Sequence, residues 1–482
     1  MTGTAIALPY RQARWAALAL VVAAQFMVVL DLSIVNVALA SIKSALDFSQ
    51  AGLQWVVSAY ALTFGGFLLL GGRLADILGR RRVFIAGVAL FTISSALCGL
   101  AWSPSSLVVF RGLQGVGGAL FAPAGLSLLM TIFAEGRERN LALGIWGAAS
   151  GSGAAVGVLL GGILTSYLSW PWVFYINVPV GLAVALLAPQ RLPESRAQGT
   201  GRHFDVLGAG TITGALMLLV FALTKATQDG WGSATTLAPL VASLALSAGF
   251  VAVERRAESP LLPFHVFRGN TLAVGTLITT VIASVGFAQF FLLTLYLQQV
   301  LHYSAARAGL AFASIAGTVA VMSNVAQGLV TRFGPRRVLA AGLLAAAASQ
   351  ALLIRLPTHA GYVADLLPSF LLIGVGLGVG FVAVTIASLA GVQPAHAGIA
   401  SGLVNTSRQI GGAIGLAAMT TIASFAAHHS AAPAATVHGD HVAFGILAVL
   451  AFGAAILTPA LRPHAAKTAE APSAELALEE AA

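Results

Sequence analysis

Apolar residues recur along this chain in blocks of about twenty or more, and polar residues gather between them. At ~1.5 Å rise per residue each block is long enough, as a helix, to cross a hydrocarbon core ~30 Å thick. Fourteen helical spans are expected, over residues 15–39, 53–72, 83–101, 106–130, 141–165, 171–190, 205–224, 235–253, 271–299, 307–330, 337–355, 365–391, 400–425 and 442–461. The polar segments between them alternate in charge. Of the 25 Lys and Arg, nineteen fall on every second segment: Arg11 and Arg14, Arg73 and Arg80 to Arg82, Arg137 and Arg139, Arg191, Arg196 and Arg202, Arg255, Arg256 and Arg268, Arg332, Arg336 and Arg337, and Arg462 with Lys467. Lys43, Lys225, Arg307 and Arg355 occupy the other segments or span ends, while Arg111 and Arg408 lie inside spans. Such a bias marks cytoplasmic loops, so both termini are expected in the cytoplasm. A missed span would move every later loop to the other side and blur it.

Composition agrees. The 482 residues are 58% hydrophobic and 9% charged, with a mean hydropathy of +0.90, whereas soluble domains run near ~25% charged. The net charge of +9 belongs to inner loops and points to no nucleic-acid partner. A single cysteine, Cys98, excludes an intrachain disulfide and any paired-cysteine metal site. His428, His429, His438 and His441 match no metal-site spacing, and no Walker sequence or nucleophile with its base is present, so no metal, cofactor or enzyme is expected. The apolar run after Arg11 and Arg14 is too long for a signal peptide and is expected to stay as the first span.

The chain repeats itself. Gly79, Arg81, Arg82 and Val83 after the second span recur as Gly334, Arg336, Arg337 and Val338 after the tenth, while Asp76 becomes Thr331. The expected architecture is all-α: a six-helix bundle (residues 1–190), an inserted two-helix segment (191–268), a second six-helix bundle (269–461) and a disordered tail (462–482). Parallel repeats of this kind place a substrate site at their interface near the midplane.

Three features carry candidate chemistry. Asp31 lies eight residues, ~12 Å, inside the first span. A charge there costs roughly 2.5 to 3.5 kcal/mol on insertion scales, so such residues face polar cavities and mark proton or substrate pathways. Arg111 in the fourth span falls at similar depth; a guanidinium favours an ionised carboxylate and apolar burial a neutral one, so the pair suits proton exchange, with a static ion pair as the other reading. Gly153, Gly157 and Gly161 share a helix face that permits close backbone approach, suited either to sliding or to plain packing. Asp76, at an inner loop, can meet the positive end of a neighbouring helix.

On these residues the chain resembles the major facilitator superfamily, and within it the fourteen-helix drug:proton antiporters. Gly72, Asp76, Gly79 and Arg80 match the family's loop between helices two and three, and Leu30, Asp31, Ser33, Asn36, Ala38 and Leu39 its first-helix motif, with Ala40 where proline is usual. Arg111, Gly112, Gln114, Gly115 and Gly117 match the fourth-helix motif associated with proton coupling. Gly153, Gly157, Gly161 and Gly162 resemble the antiporter motif, with Val158 where proline is usual. The resemblance implies an antiporter driven by the proton gradient, exporting small amphipathic molecules such as drugs across a bacterial cytoplasmic membrane, working as a monomer among lipid, with the loop motif latching the two halves. An importer or facilitator, or a non-transporting sensor or enzyme, are the alternatives. Gln54, Tyr60, Trp146, Gln289, Phe290 and Asn405 are polar or aromatic span positions suited to such a substrate. Arg408, ~12 Å inside span thirteen, is placed to meet an anionic group, to line a vestibule or to snorkel. No acidic residue is expected well inside the C-terminal half, Asp365 standing at a span end. That disfavours multiply cationic substrates.

Overall fold

The computed structural model describes residues 10–461 apart from 49, 54, 135, 197–204, 258–270, 391, 393–395 and 428–431. Among these residues the chain is helical, without strands. The long helices are α1 (Tyr10–Ala45), α2 (Trp55–Leu78), α3 (Arg80–Gly99), α4 (Pro104–Ile132), α5 (Arg137–Tyr167), α6 (Asn177–Arg191, after a helical turn at Trp172–Tyr175), α7 (Val206–Asp229), α8 (Ala234–Glu254), α9 (Thr271–Leu295), α10 (Ala305–Phe333), α11 (Pro335–Leu353), α12 (Leu367–Leu389), α13 (Ala397–Ala426) and α14 (Pro433–Leu457). Thirteen spans among the described residues are long and apolar enough to cross a membrane, and the glycine-rich α5 of 31 residues stands where the fifth span is expected.

The first bundle joins α1 to α5, α2 and α3 to α4, and α3 to α6; the second joins α9 to α13, α10 and α11 to α12, and α11 to α14. The inserted α7 and α8 pack on each other, and α7 leans on α2 and α13. Trp231, in the turn between the inserted helices, donates its indole N–H to the Thr421 hydroxyl at 2.9 Å. The two bundles meet along two seams, α2 with α13 and α5 with α10. The sequence repeat relates α2 to α10 and α5 to α13, so each seam pairs a second helix with a fifth.

At the α2–α13 seam the backbones nearly touch. A side chain on Gly72 would meet the Gly398 carbonyl, and one on Gly398 the Gly72 carbonyl. The contact carries Asp76, fully buried, to the start of α13. Its carboxylate accepts the backbone N–H groups of Gly398 and Ile399, each at 3.2 Å, and pairs with the Arg80 guanidinium at 2.9 Å. First-turn amides have no partner within their own helix and carry its positive end, so the carboxylate answers both needs. Gly79, at φ 111°, makes the sharp turn between Asp76 and Arg80 that a side chain would strain. At the other seam Thr331 stands in Asp76's place, its hydroxyl 3.5 Å from the Asn140 amide nitrogen, and Arg139 donates to the Leu389 carbonyl at 3.4 Å. These contacts close the bundle at one end, the latch face.

Gly153, Gly157 and Gly161 lie elsewhere. They face Val29, Ser33 with Leu30, and Ile34 with Val37, so this face packs α5 on α1 inside the first bundle and not across a seam. One span boundary also moves. The last span begins at Pro433, nine residues before the expected start at residue 442, with proline in the first turn where its missing N–H costs nothing. Asp440, expected in a loop, is therefore inside α14 and buried.

Two variants of α5 separate packing from flexibility. Gly157→Val places its Cβ on Ser33 Oγ and is expected to lower the unfolding temperature of the purified chain by several degrees, reflecting about 1–3 kcal/mol of overpacking. Gly162→Ala, which faces open space, leaves it unchanged or slightly higher. The latch is tested by labelling. With Cys98 replaced by Ala, a cysteine substituted at Ser401, buried in the α13 seam face, reacts slowly with a maleimide; Asp76→Ala speeds labelling about tenfold or more, the worth of hydrogen bonds to a charged group. Equal rates would mean that Asp76 does not hold the seam shut.

Candidate functional site

Asp31 comes from the middle of α1, Arg111 from α4, and the two meet inside the first bundle with 0% and 1% of their surfaces exposed. Arg111 Nη1 lies 2.6 Å from Asp31 Oδ2. The other carboxylate oxygen accepts from the Gln114 amide at 2.9 Å and from the Asn177 amide at 3.0 Å. Gln114 follows Arg111 by three residues and so shares its helix face; its own carbonyl oxygen accepts from Arg111 at 2.7 Å. Asn177 opens α6 and also donates to the Ser95 hydroxyl at 3.2 Å. Arg111 Nε donates to the Val56 carbonyl of α2 at 2.9 Å, and the guanidinium lies 4.4 Å from the Tyr60 ring centre and 5.7 Å from that of Phe174. Four helices thus converge on one ion pair, and α3 joins them through Ser95. Every partner of Asp31 donates a hydrogen, so both carboxylate oxygens act as acceptors.

A second group forms where the bundles meet. The Arg408 guanidinium of α13 lies 5.1 Å from the Trp146 ring centre on α5 and 4.7 Å from that of Phe381 on α12. Arg408 therefore faces the seam and does not snorkel to a membrane surface. Asn405, one turn before it and buried, donates to the Ser401 carbonyl within its own helix.

The remaining expected contacts scatter. Gln289 is buried in the second bundle and accepts a hydrogen bond from the Gln350 amide of α11, bordering a narrow space with Ile282, Val285, Leu343 and Leu377. Phe290 packs on Phe312 of α10 at 5.5 Å. Neither joins Trp146 and Arg408. Tyr60 belongs to the ion-pair cluster, beneath Arg111, and Gln54 lies outside the described residues. His428 and His429 also lie outside them, and no group of three or more His, Cys, Asp or Glu that could hold a metal occurs among the described residues. His441 contacts the Leu356 carbonyl at 2.8 Å through Nε2.

Two contributors, Asn177 and Asp440, stand outside the residues the sequence points to, and a third, Gln114, enters there only through the fourth-helix motif. Gln114 was legible as the i+3 neighbour of Arg111 on a polar helix face. Asn177 was legible only as an amide at the start of an apolar span, with nothing to say that it turns toward Asp31. Asp440 places a carboxylate, with Oδ2 unpartnered, inside the second bundle where none was expected.

The family model of the Major Facilitator Superfamily matches residues 21–416. The chain is 42% identical to the puromycin resistance protein pur8 of Streptomyces alboniger, over 93% of this chain and 90% of that one. It is 41% identical to the cephamycin export protein CmcT of Amycolatopsis lactamdurans, over 94% and 93% respectively. Its fold is similar to that of the human organic anion transporter MFSD10, with a TM-score of 0.65 and 15% identity, covering 94% of this chain and all of that one. A transporter family, and not an enzyme, accounts for fourteen long helices among the described residues, arranged as two bundles with an ion pair buried in the first: the chain belongs to the major facilitator superfamily.

Proposed function

We propose that this chain is a proton-coupled antiporter that exports small amphipathic molecules, antibiotics among them, by alternating access across a bacterial cytoplasmic membrane. The relatives named for puromycin resistance and cephamycin export support export. The observation that carries proton coupling is the Asp31 carboxylate, buried and held by Arg111, Gln114 and Asn177.

Protonation of Asp31 removes the charge on which four helices close. A neutral acid gives Arg111 nothing to balance and turns one carboxylate oxygen into a donor facing donors. The cluster loosens, and α1 shifts against α4 and α6. Because α1 is seated on α5 through the glycine face, its movement reaches the α5–α10 seam directly. The face supplies rigid coupling between the proton site and the seam. The latch face, bearing the basic α2–α3 turn, is the cytoplasmic side, and both termini lie there. With the latch closed the route leads to the opposite side; proton entry from there and opening of the Asp76 contact return the site to the cytoplasm. The proton gradient drives the cycle, and no cofactor takes part. Substrate lies between the bundles, with Trp146, Asn405 and Arg408 at the seam, and a single chain suffices.

The test uses purified protein in liposomes with a pH-sensitive dye inside, an imposed proton gradient, and a panel that includes puromycin and a cephamycin. Wild type dissipates the gradient on addition of a transported compound. Asp31→Asn, which keeps the shape but cannot take up a proton, lowers that proton flux about a hundredfold or more while the chain still unfolds cooperatively; loss of a catalytic proton group has effects of this order. Undiminished drug-driven proton flux in Asp31→Asn removes Asp31 from the mechanism. Tracer movement without proton flux in wild type makes the chain a facilitator.

A further inference from the structure

The two arginines inside the spans are served very differently. Arg111 has a carboxylate, an amide oxygen and a backbone carbonyl around it. Arg408 Nε and Nη2 are closed off from solvent and have no hydrogen-bond partner. Rings of Trp146 and Phe381 lie 5.1 Å and 4.7 Å from the guanidinium, one contributed by each bundle. Ring contact offsets only part of the water a guanidinium gives up, and it uses the flat faces of the group. The in-plane edge, with its fork of N–H donors, is left over. That edge matches a carboxylate, which takes two parallel hydrogen bonds from it.

Position agrees with a ligand site. Arg408 is eleven residues from the start of α13, Trp146 nine from the start of α5 and Phe381 eight from the end of α12. All three helix ends lie at the latch face, where Asp76 meets Gly398 and Arg139 meets Leu389. The group therefore sits ~12–17 Å deep, near the midplane and just behind the closed latch. A further unfilled acceptor lies one turn along α5 from Trp146: Gln25 of α1 donates to the Ser150 hydroxyl at 3.1 Å, while its carbonyl oxygen has no partner. A molecule with an anionic end and a hydrogen-bond donor would answer both.

We propose that Arg408 is the anchor for an anionic group, and that the exported molecules include amphipathic carboxylates held by this edge at the seam between the bundles. The inference rests on the exporter reading for its physiological meaning, but binding tests it separately. The probes are dansylglycine, its neutral amide dansylglycinamide, and the cationic dansylethylenediamine, titrated against the full chain in detergent with tryptophan-to-dansyl energy transfer as the signal. Wild type is expected to bind dansylglycine about tenfold or more tightly than the amide, and the cation most weakly. Arg408→Gln abolishes that preference: its affinity for dansylglycine falls about tenfold or more, to the level of the amide measured with the same variant. Arg408→Lys, which keeps the charge and loses the fork, falls between; should Arg408→Gln not fold, its selective loss for the carboxylate alone carries the test.

Equal binding of the three probes by wild type overturns the anion site, as does a carboxylate preference that survives in Arg408→Gln. If the drug panel moves no compound while dansylglycine is still preferred, the exporter reading fails and the anion site stands. If compounds are exported but no carboxylate is preferred, the reverse holds.

Discussion

Taking a carboxylate and a guanidinium out of water costs several kcal/mol per ion, and the cost is recovered only when geometry and additional hydrogen bonds answer every lone pair and proton. Asp31 and Arg111 approach that condition by drawing in Gln114, Asn177, the Tyr60 ring and the Val56 carbonyl. The consequence is architectural. α1, α2, α4 and α6 must approach one point at one depth, and Ser95 of α3 joins through Asn177. Lipid supplies no hydrophobic drive between helices, so small residues and polar bonds must hold them. The ion pair fixes the centre of the first bundle, and the glycine face fixes α5 to it.

The second bundle is built differently although the chain repeats. Its interior holds a neutral amide pair, Gln289 with Gln350, where the first holds a charged cluster. Its carboxylate, Asp440, and its guanidinium, Arg408, do not meet: neither has the other, or any side chain among the described residues, as a hydrogen-bonded partner. The seams share this asymmetry. Asp76 binds the α13 amides on one side, while Thr331 offers only a hydroxyl to Asn140 on the other. A carboxylate against a helix N-terminus is the stronger and more directional contact. One seam is therefore held by a charged contact and the other by a neutral one.

How much of this could be read beforehand follows from the range of each interaction. Span positions were legible because crossing a membrane imposes length and apolarity on contiguous residues, and Gln114 because it stands one helical turn from Arg111. The Asp31–Arg111 contact was legible only as a coincidence of depth. Partners far along the chain were not. Gln289 looked like a ligand contact because its partner, Gln350, is 61 residues away and equally unremarkable in its own span. Gly157 left sliding and plain packing equally open because nothing in α5 says that α1 lies against it. Asp440 was misplaced because a histidine-rich stretch reads as loop, although Pro433 in fact opens the helix that carries it.

The location of Arg408 on the boundary between bundles gives its missing partner a further meaning. A cation buried within one bundle would keep its surroundings through the transport cycle, as Arg111 does with its three acceptors. Arg408 instead has Trp146 from one bundle and Phe381 from the other, so rocking must separate it from at least one ring. Its desolvation consequently differs between the two states: most severe when the seam is shut, relieved when water enters. An anion bound there lowers the free energy of the shut state more than that of the open one, because an ion pair gains most where water is excluded. A ligand shifts a two-state equilibrium only by such a difference in affinity. Under the proposed anion site, occupancy of the seam would favour its closure and so couple the presence of cargo to the step that carries it across.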